Sequence, residues 1–282
     1  MTGFGGRLRE ALATRGPLCV GIDPHEHLLA EWGLPSTAAG TREFGLRVVD
    51  AAAGRVGIVK PQVSFFERWG SAGFAALEDV LAAARAAGLV VIADAKRGDI
   101  GTTMDAYARA WLTPGSPLEA DAVTLSPYLG VGALTGTLEY ALQHGKGAFV
   151  LAATSNTEAR RLQGALDDDR AATVAALVVE EVSAFNARTA AAGEPAGVGF
   201  VIGATVDLAQ AGLSGALAPA APVLAPGFGA QGARPEDLVA LAEALASPVV
   251  ASESRSILSA GPTTLAARIA ERAALYPEVE HG

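Results

Sequence analysis

Three charged residues are spaced in a way that could support chemistry: Asp94, Lys96 and Asp99 form the pattern D-x-K-x-x-D. If residues 89–94 form a strand, the alternation of side chains directs Asp94 and Lys96 to one face and Ala95 to the other. Negative charge beside a lysine favours its ammonium form, which suits proton donation better than Schiff-base formation. An ion pair at the end of a strand would explain the pattern equally well. The surrounding elements must decide between the two.

Eight short apolar runs recur along the chain. They cover residues 18–23, 56–62, 89–94, 122–126, 148–152, 198–202, 223–225 and 249–251. Continuous apolar runs of this length are typical of strands that are buried on both faces, as in parallel sheets.

Segments rich in Ala and Leu lie between these runs and predict helices. They cover residues 41–53, 74–87, 103–112, 132–144, 168–192, 207–213, 236–245 and 263–275. Eight alternating units favour an α/β fold in which parallel strands close into a (β/α)8 TIM barrel, with residues 1–282 as a single domain. An open doubly wound sheet is the alternative, but no G-x-G-x-x-G follows the first strand.

Polar side chains end the first four predicted strands. Asp23 ends the first, Lys60 lies in the second, Asp94 and Lys96 follow the third, and Ser126 ends the fourth. Barrel enzymes carry their chemistry at this end of the strands. Taken singly, Asp23 and Ser126 could be turn residues, because each precedes a proline, and Lys60 could be an ordinary surface lysine. Their occurrence at one rim favours an active site.

A glycine-rich loop at residues 226–232 follows the seventh run, and Arg255 follows the eighth. Glycine lets backbone N–H groups approach an anion, and the arginine fork grips phosphate oxygens. Phosphate sites in barrels often form after the last two strands. We therefore predict a phosphate site here.

Composition excludes several classes of protein. The chain has 282 residues, is 50% hydrophobic and carries a formal net charge of −9, with a mean hydropathy of +0.32. The acidic balance argues against a nucleic-acid partner. No apolar stretch is long enough to span a membrane and the first residues do not resemble a signal peptide, so we expect a cytoplasmic protein. The single cysteine, Cys19, is predicted to be a buried and inert hydrophobic residue.

No metal is expected. The acidic patch at residues 167–169 is interpreted as a solvated helix start. The histidines, which are His25, His27, His144 and His281, share no spacing that indicates metal ligands.

Several segments together resemble the orotidine 5′-phosphate decarboxylase family, in its type 2 branch. They are residues 21–24, 59–62, 94–101, 124–128 and 226–232, together with Arg255. The resemblance runs from the first predicted strand to the last. It implies a homodimeric barrel that needs no cofactor and converts orotidine 5′-monophosphate to uridine 5′-monophosphate and carbon dioxide, the last step of de novo pyrimidine synthesis.

The resemblance implies catalytic roles at matching positions. Lys96 corresponds to the proton donor to C6 of the pyrimidine, and Asp94 to the acid beside the departing carboxylate. Lys60 corresponds to the lysine that links the ribose region to these charges. Asp99 is implied to complete the site of the partner subunit, and the spacing of Thr103 from Asp99 places it near the partner's ribose site.

Further residues are implied to bind the nucleotide. Asp23 resembles the ligand of the ribose hydroxyls, and Ser126 resembles the pyrimidine contact. Gln231 corresponds to the loop residue that bridges base and phosphate, with Gly232 beside it. Arg255 corresponds to the phosphate clamp.

Three other functions remain open at the level of sequence. A related phosphosugar lyase or synthase, of the magnesium-dependent hexulose-phosphate synthase type, uses a similar D-x-K-x-x-D pattern. A Schiff-base aldolase would use Lys60 or Lys96, although the flanking acids argue against the neutral amine that it needs. A non-catalytic nucleotide-binding or scaffold protein would bind uridine monophosphate without turnover.

Overall fold

Short runs rich in Val, Ile, Leu and Ala form the strands of this protein. A computed structural model describes residues 2–167, 169–189 and 194–277. The strands within these residues are β1 (Leu18–Ile22), β2 (Ile58–Pro61), β3 (Val90–Arg97), β4 (Ala122–Leu125), β5 (Gly147–Ala153), β6 (Leu166–Asp167), β7 (Ala172–Thr173), β8 (Val198–Ile202), β9 (Val223–Pro226) and β10 (Val249–Glu253).

Eight of these strands close into a barrel in the order β1-β10-β9-β8-β5-β4-β3-β2. Every neighbouring pair in the barrel is parallel. The predicted (β/α)8 TIM barrel is therefore confirmed, and the open sheet is wrong. The remaining pair, β6 and β7, forms a small antiparallel hairpin.

Helices surround the barrel. Within the described residues they are α1 (Phe4–Arg15), α2 (Glu26–Glu31), α3 (Ala38–Ala52), α4 (Ser64–Glu67), α5 (Gly70–Ala86), α6 (Gly101–Leu112), α7 (Thr135–Gln143), α8 (Arg160–Gln163), α9 (Val174–Thr189), α10 (Asp237–Leu245), α11 (Arg255–Leu258) and α12 (Leu265–Ala273). None of them has the length and apolar character that a membrane crossing requires.

The alternation of side chains along the strands produces two separate cores. The inner core fills the barrel and includes Cys19, Ile58 and Ile92, whereas the outer core packs the other face of the strands against the helices. Helix α1 adds Phe4, Leu8 and Leu12 to the inner core, and the ring of Phe4 lies edge-on to Phe149. Because α1 packs against the barrel interior from the N-terminal side, chemistry is left to the opposite end.

One predicted helix is wrong, and another begins later than predicted. Residues 207–213 form turns instead of a helix. The Asp207 carboxylate accepts a hydrogen bond from the Gln210 N–H, and Gly212 adopts a left-handed φ of 72°, which a continuous α-helix does not contain. The helix predicted over 168–192 begins only at Val174, and the hairpin of β6 and β7 precedes it.

Asp167 and Asp169, the described residues of the acidic patch, consequently do not lie at a helix start. The carboxylate of Asp167 accepts the backbone N–H groups of Asp169 and Arg170 and so stabilises the turn of the hairpin. Asp168, residues 190–193 and His281 lie outside the described residues, so the predicted C-terminal end of this helix is not tested.

Candidate active site

The third strand positions the residues of the D-x-K-x-x-D pattern. Ile92 lies in the inner core, Ala95 packs in the outer core, and Asp94 and Lys96 both line a cavity at the C-terminal end of the barrel. The predicted alternation is therefore confirmed. Strand β3 itself runs three residues beyond the predicted end, to Arg97.

The strand is irregular at this point. Ala93 pairs with Val123 of β4, but Arg97 pairs with Leu125, so β3 carries extra residues opposite Thr124. Lys96 absorbs the irregularity with a left-handed φ of 48°. A non-glycine residue in this region costs of the order of 1–3 kcal/mol and persists only where its surroundings hold it.

Thr124 supplies part of that support. Its hydroxyl donates to Asp94 Oδ1 at 2.8 Å and accepts the backbone N–H of Lys96 at 2.9 Å. One side chain on β4 thereby fixes both the carboxylate and the backbone of the lysine. The extra length of β3 and the hydroxyl of β4 together set the direction of the Lys96 side chain.

Two lysines share the carboxylate of Asp94. Lys60 Nζ donates to Asp94 Oδ2 at 3.0 Å, and Lys96 Nζ donates to Oδ1 at 2.7 Å. The side chains of Lys60 and Asp94 are almost wholly enclosed, whereas the Lys96 side chain is 45% exposed. Of these two lysines, Lys96 is therefore the one that is more accessible to a molecule in the cavity.

Burial and charge oppose each other in this cluster. Burial alone would raise the pKa of Asp94, but Lys60 and Lys96 outweigh it and hold that pKa well below its usual value. Burial alone would lower the pKa of Lys60, and the charges of Asp94 and Asp23 instead raise it. Asp94 is a carboxylate and Lys60 an ammonium at neutral pH, so neither exchanges protons during a reaction in that range.

The cavity has a volume of about 550 Å³. Its apolar lining includes Leu151, Val201 and Leu224 from three strands of the barrel. Asp23, at the end of β1, also lines it, and its Oδ1 atom is buried without a hydrogen-bond partner among the described residues. An unsatisfied buried carboxylate oxygen is an acceptor available for a ligand hydroxyl.

The other wall of the cavity is suited to an anion. Arg255 lines it from the first residue of α11, and within the described part of the chain its side chain forms no ion pair or hydrogen bond. Ser254 lies beside it with a buried hydroxyl that also lacks a partner among the described residues. The loop of residues 226–232 contributes the rest of this wall.

Gln231 is the residue of this loop that is predicted to bridge base and phosphate. Its Oε1 accepts a hydrogen bond from Ser155 Oγ at 3.5 Å. Gln231 is otherwise exposed at the mouth of the cavity.

Four predicted site residues lie at the rim without lining the cavity. They are Ser126, Asp99, Thr103 and Gly232. Ser126 follows β4, and its backbone N–H donates to the Arg97 carbonyl at 2.8 Å. Asp99 accepts the N–H of Ile100 just before α6, and Thr103 is exposed in the first turn of that helix. Neither lines this subunit's own cavity.

Sequence reasoning missed several residues of the site. Gln62 accepts a hydrogen bond from Lys96 Nζ at 3.2 Å and donates to the Asp94 carbonyl at 3.2 Å. Thr124 and Ser254 were also missed, although Thr124 begins one of the segments that carry the family resemblance and Ser254 directly precedes Arg255. The available signal was that each of these residues is polar and lies within two positions of a predicted site residue in the sequence.

His25 lines the cavity as well, and burial lowers its pKa. Cys19 lies beneath the site in the inner core, where burial raises the pKa of its thiol to about 12. The thiol is protonated at neutral pH, which agrees with the inert role predicted for it. Within the described residues, no group of three or more His, Cys, Asp and Glu side chains is placed to hold a metal ion.

Comparison with known proteins identifies the family. The model of the orotidine 5′-phosphate decarboxylase / HUMPS family matches residues 16–270. The chain belongs to this family. It is 48% identical to an orotidine 5′-phosphate decarboxylase of Corynebacterium efficiens, over 97% of both chains. It is 49% identical to one of Salinispora tropica, over 95% of this chain and 94% of that protein.

Solved structures agree with the family. The structure of Leishmania donovani OMP decarboxylase is 32% identical, with a TM-score of 0.74, and the match covers 97% of this chain and 98% of that one. A solved structure from Streptomyces avermitilis is 45% identical, with a TM-score of 0.88 and coverage of 97% and 94%. The predicted family resemblance is thus confirmed.

Proposed function

We propose that this chain decarboxylates orotidine 5′-monophosphate to uridine 5′-monophosphate and carbon dioxide, the last step of de novo pyrimidine synthesis, in the cytoplasm and without a cofactor. One barrel domain, residues 1–282, carries this activity. The observation that carries the proposal is the buried carboxylate of Asp94 between two lysines, of which Lys96 is open to the cavity.

The order of groups around the rim supports a nucleotide substrate. Strands β3, β2, β1, β10 and β9 are successive neighbours in the barrel. They carry, in turn, Lys96 with Asp94, Lys60, Asp23, Arg255 and the loop of Gln231. A pyrimidine at the charge cluster, a ribose at Asp23 and a phosphate at Arg255 follow the same order as a nucleoside monophosphate.

The chemistry follows from the charges. When the bond between C6 and the carboxylate breaks, its electron pair stays on C6 in the ring plane. The Lys96 ammonium stabilises this charge and then transfers a proton from Nζ to C6. Asp94 lies beside the substrate carboxylate, and their repulsion is relieved as carbon dioxide leaves. Solvent returns a proton to Lys96.

We propose further that the active form is a homodimer in which Asp99 and Thr103 serve the partner's site. Support comes from apolar side chains near Asp99 that are unusually exposed: Ile100 is 61%, Tyr128 75% and Leu129 53% exposed. An apolar surface of this kind is typical of an interface.

The test is to incubate purified, chelator-treated protein with orotidine 5′-monophosphate and to follow the loss of orotate absorbance. We expect turnover that added magnesium does not increase. Absence of turnover would contradict the proposal, and magnesium-dependent turnover of a phosphosugar would favour the hexulose-phosphate synthase type instead. The cluster argues against that alternative, because two ammonium groups beside Asp94 would repel a divalent cation.

A further inference from the structure

Glu253 is a buried carboxylate just behind the proposed phosphate site. It is the last residue of β10 and is 0% exposed. Ser252 lines the cavity, and alternation along the strand directs the next side chain to the helix layer. Glu253 therefore lies outside the cavity and does not contact a substrate.

Three side chains satisfy this carboxylate. Arg272 of α12 donates from Nη2 to Oε1 at 2.6 Å and from Nε to Oε2 at 3.0 Å. Tyr276 Oη donates to Oε1 at 2.5 Å, and Ser256 Oγ donates to Oε2 at 2.5 Å. A buried charge with this many partners holds its neighbours in one arrangement.

The same carboxylate contacts the glycine-rich loop. A Cβ atom at Gly229 would lie 2.5 Å from Ser256 Oγ and 2.9 Å from Glu253 Oε2, so the loop backbone packs directly on this pair. The ring of Phe228, in the same loop, lies edge-on to Tyr276 with centroids 5.7 Å apart. The loop half of the anion-binding wall thus packs on Glu253 and its partners, and Arg255 directly precedes one of those partners, Ser256.

We propose that Glu253 is a positioning residue for phosphate binding, which holds Arg255 and the loop of residues 226–232 in register through Ser256, Arg272 and Tyr276. The inference rests on the proposed function. Its effect is confined to the phosphate end of the substrate, because among the described residues no hydrogen bond or ion pair joins the Asp94 cluster to this network.

The test compares Glu253→Gln, Ser256→Ala and Tyr276→Phe with the matched control Glu271→Gln, which removes an exposed carboxylate of the same helix α12 that pairs with Arg268. Steady-state kinetics are measured with orotidine 5′-monophosphate and with orotidine, which lacks the phosphate. Ser256→Ala and Tyr276→Phe keep the Glu253–Arg272 pair and so remain informative if Glu253→Gln does not fold.

We expect KM for the nucleotide to rise about tenfold in the three variants, corresponding to the loss of one charge-assisted hydrogen bond. kcat/KM for orotidine and both constants of Glu271→Gln should not change. An unchanged KM in Ser256→Ala and Tyr276→Phe, or an equal loss with orotidine, would overturn the inference. Failure of the wild-type protein to turn over either compound would instead overturn the proposed function.

Discussion

Lys60 Nζ lies 3.0 Å from Asp94 Oδ2, and both side chains are enclosed by the barrel. Within this pair Asp94 stays a carboxylate and Lys60 an ammonium at neutral pH. The pair also links the stability of the fold to the charge state of the site.

Acid should destabilise the fold through Asp94. Because the folded-state pKa of Asp94 lies below its ordinary value of 3.8, its contribution to stability is present above that pH and is lost as the pH falls through the folded pKa. We expect the free energy of unfolding to fall more steeply with acidification in the wild-type protein than in Asp94→Asn. Urea denaturation at neutral pH and below pH 3.8 measures this. Parallel curves for the two proteins would contradict it.

Lys96→Ala should abolish decarboxylation, because it removes both the charge that stabilises the C6 carbanion and the proton that follows. Binding of uridine 5′-monophosphate should remain, since Asp23 and Arg255 are untouched. Loss of orotate absorbance and titration calorimetry measure the two effects. Arg9→Ala, an exposed change on α1, is the control. Retained turnover in Lys96→Ala would refute the assignment of the proton donor.

Arg255→Ala should mainly weaken binding, with KM for the nucleotide rising by about ten- to a hundredfold, as the loss of hydrogen bonds to a charged group implies. kcat/KM for orotidine should stay the same. Arg234→Ala is the matched control, because Arg234 is exposed and pairs with Glu236 and Asp237 rather than lining the cavity. An unchanged KM would count against a phosphate site at Arg255.

Asp99→Ala and Lys96→Ala should complement each other. If Asp99 serves the partner's site, a mixed dimer has one site without either residue and one intact site. When the two variants are mixed in equal amounts and exchange subunits, about half of the dimers are mixed and each has one working site. The mixture should therefore show roughly one quarter of wild-type activity, although each variant alone is nearly inactive. No recovery on mixing would place Asp99 in its own subunit's site.

The barrel was predictable because buried parallel strands leave a strong apolar signal in the sequence. Helix α1 was missed although Phe4, Leu8 and Leu12 recur at helical spacing, because glycines interrupt its first turn. The wrong helix at 207–213 shows the reverse error, since Asp207 and Gly212 favour turns over the helix that the apolar residues suggest.

The charged rim was predictable for a similar reason, because strand ends place Asp23, Lys60 and Asp94 at one edge. The role of Glu253 was not. Its partners Arg272 and Tyr276 follow 19 and 23 positions later, and only the folded chain brings them back to it.

The left-handed backbone at Lys96 has a consequence for how this protein can change. A glycine would adopt that conformation at lower cost, and a regular strand would avoid it, yet either would lose or redirect the ammonium group. Selection for stability and selection for chemistry therefore act in opposite directions at this one position. The rest of the barrel must be stable enough to offset the cost of this backbone conformation.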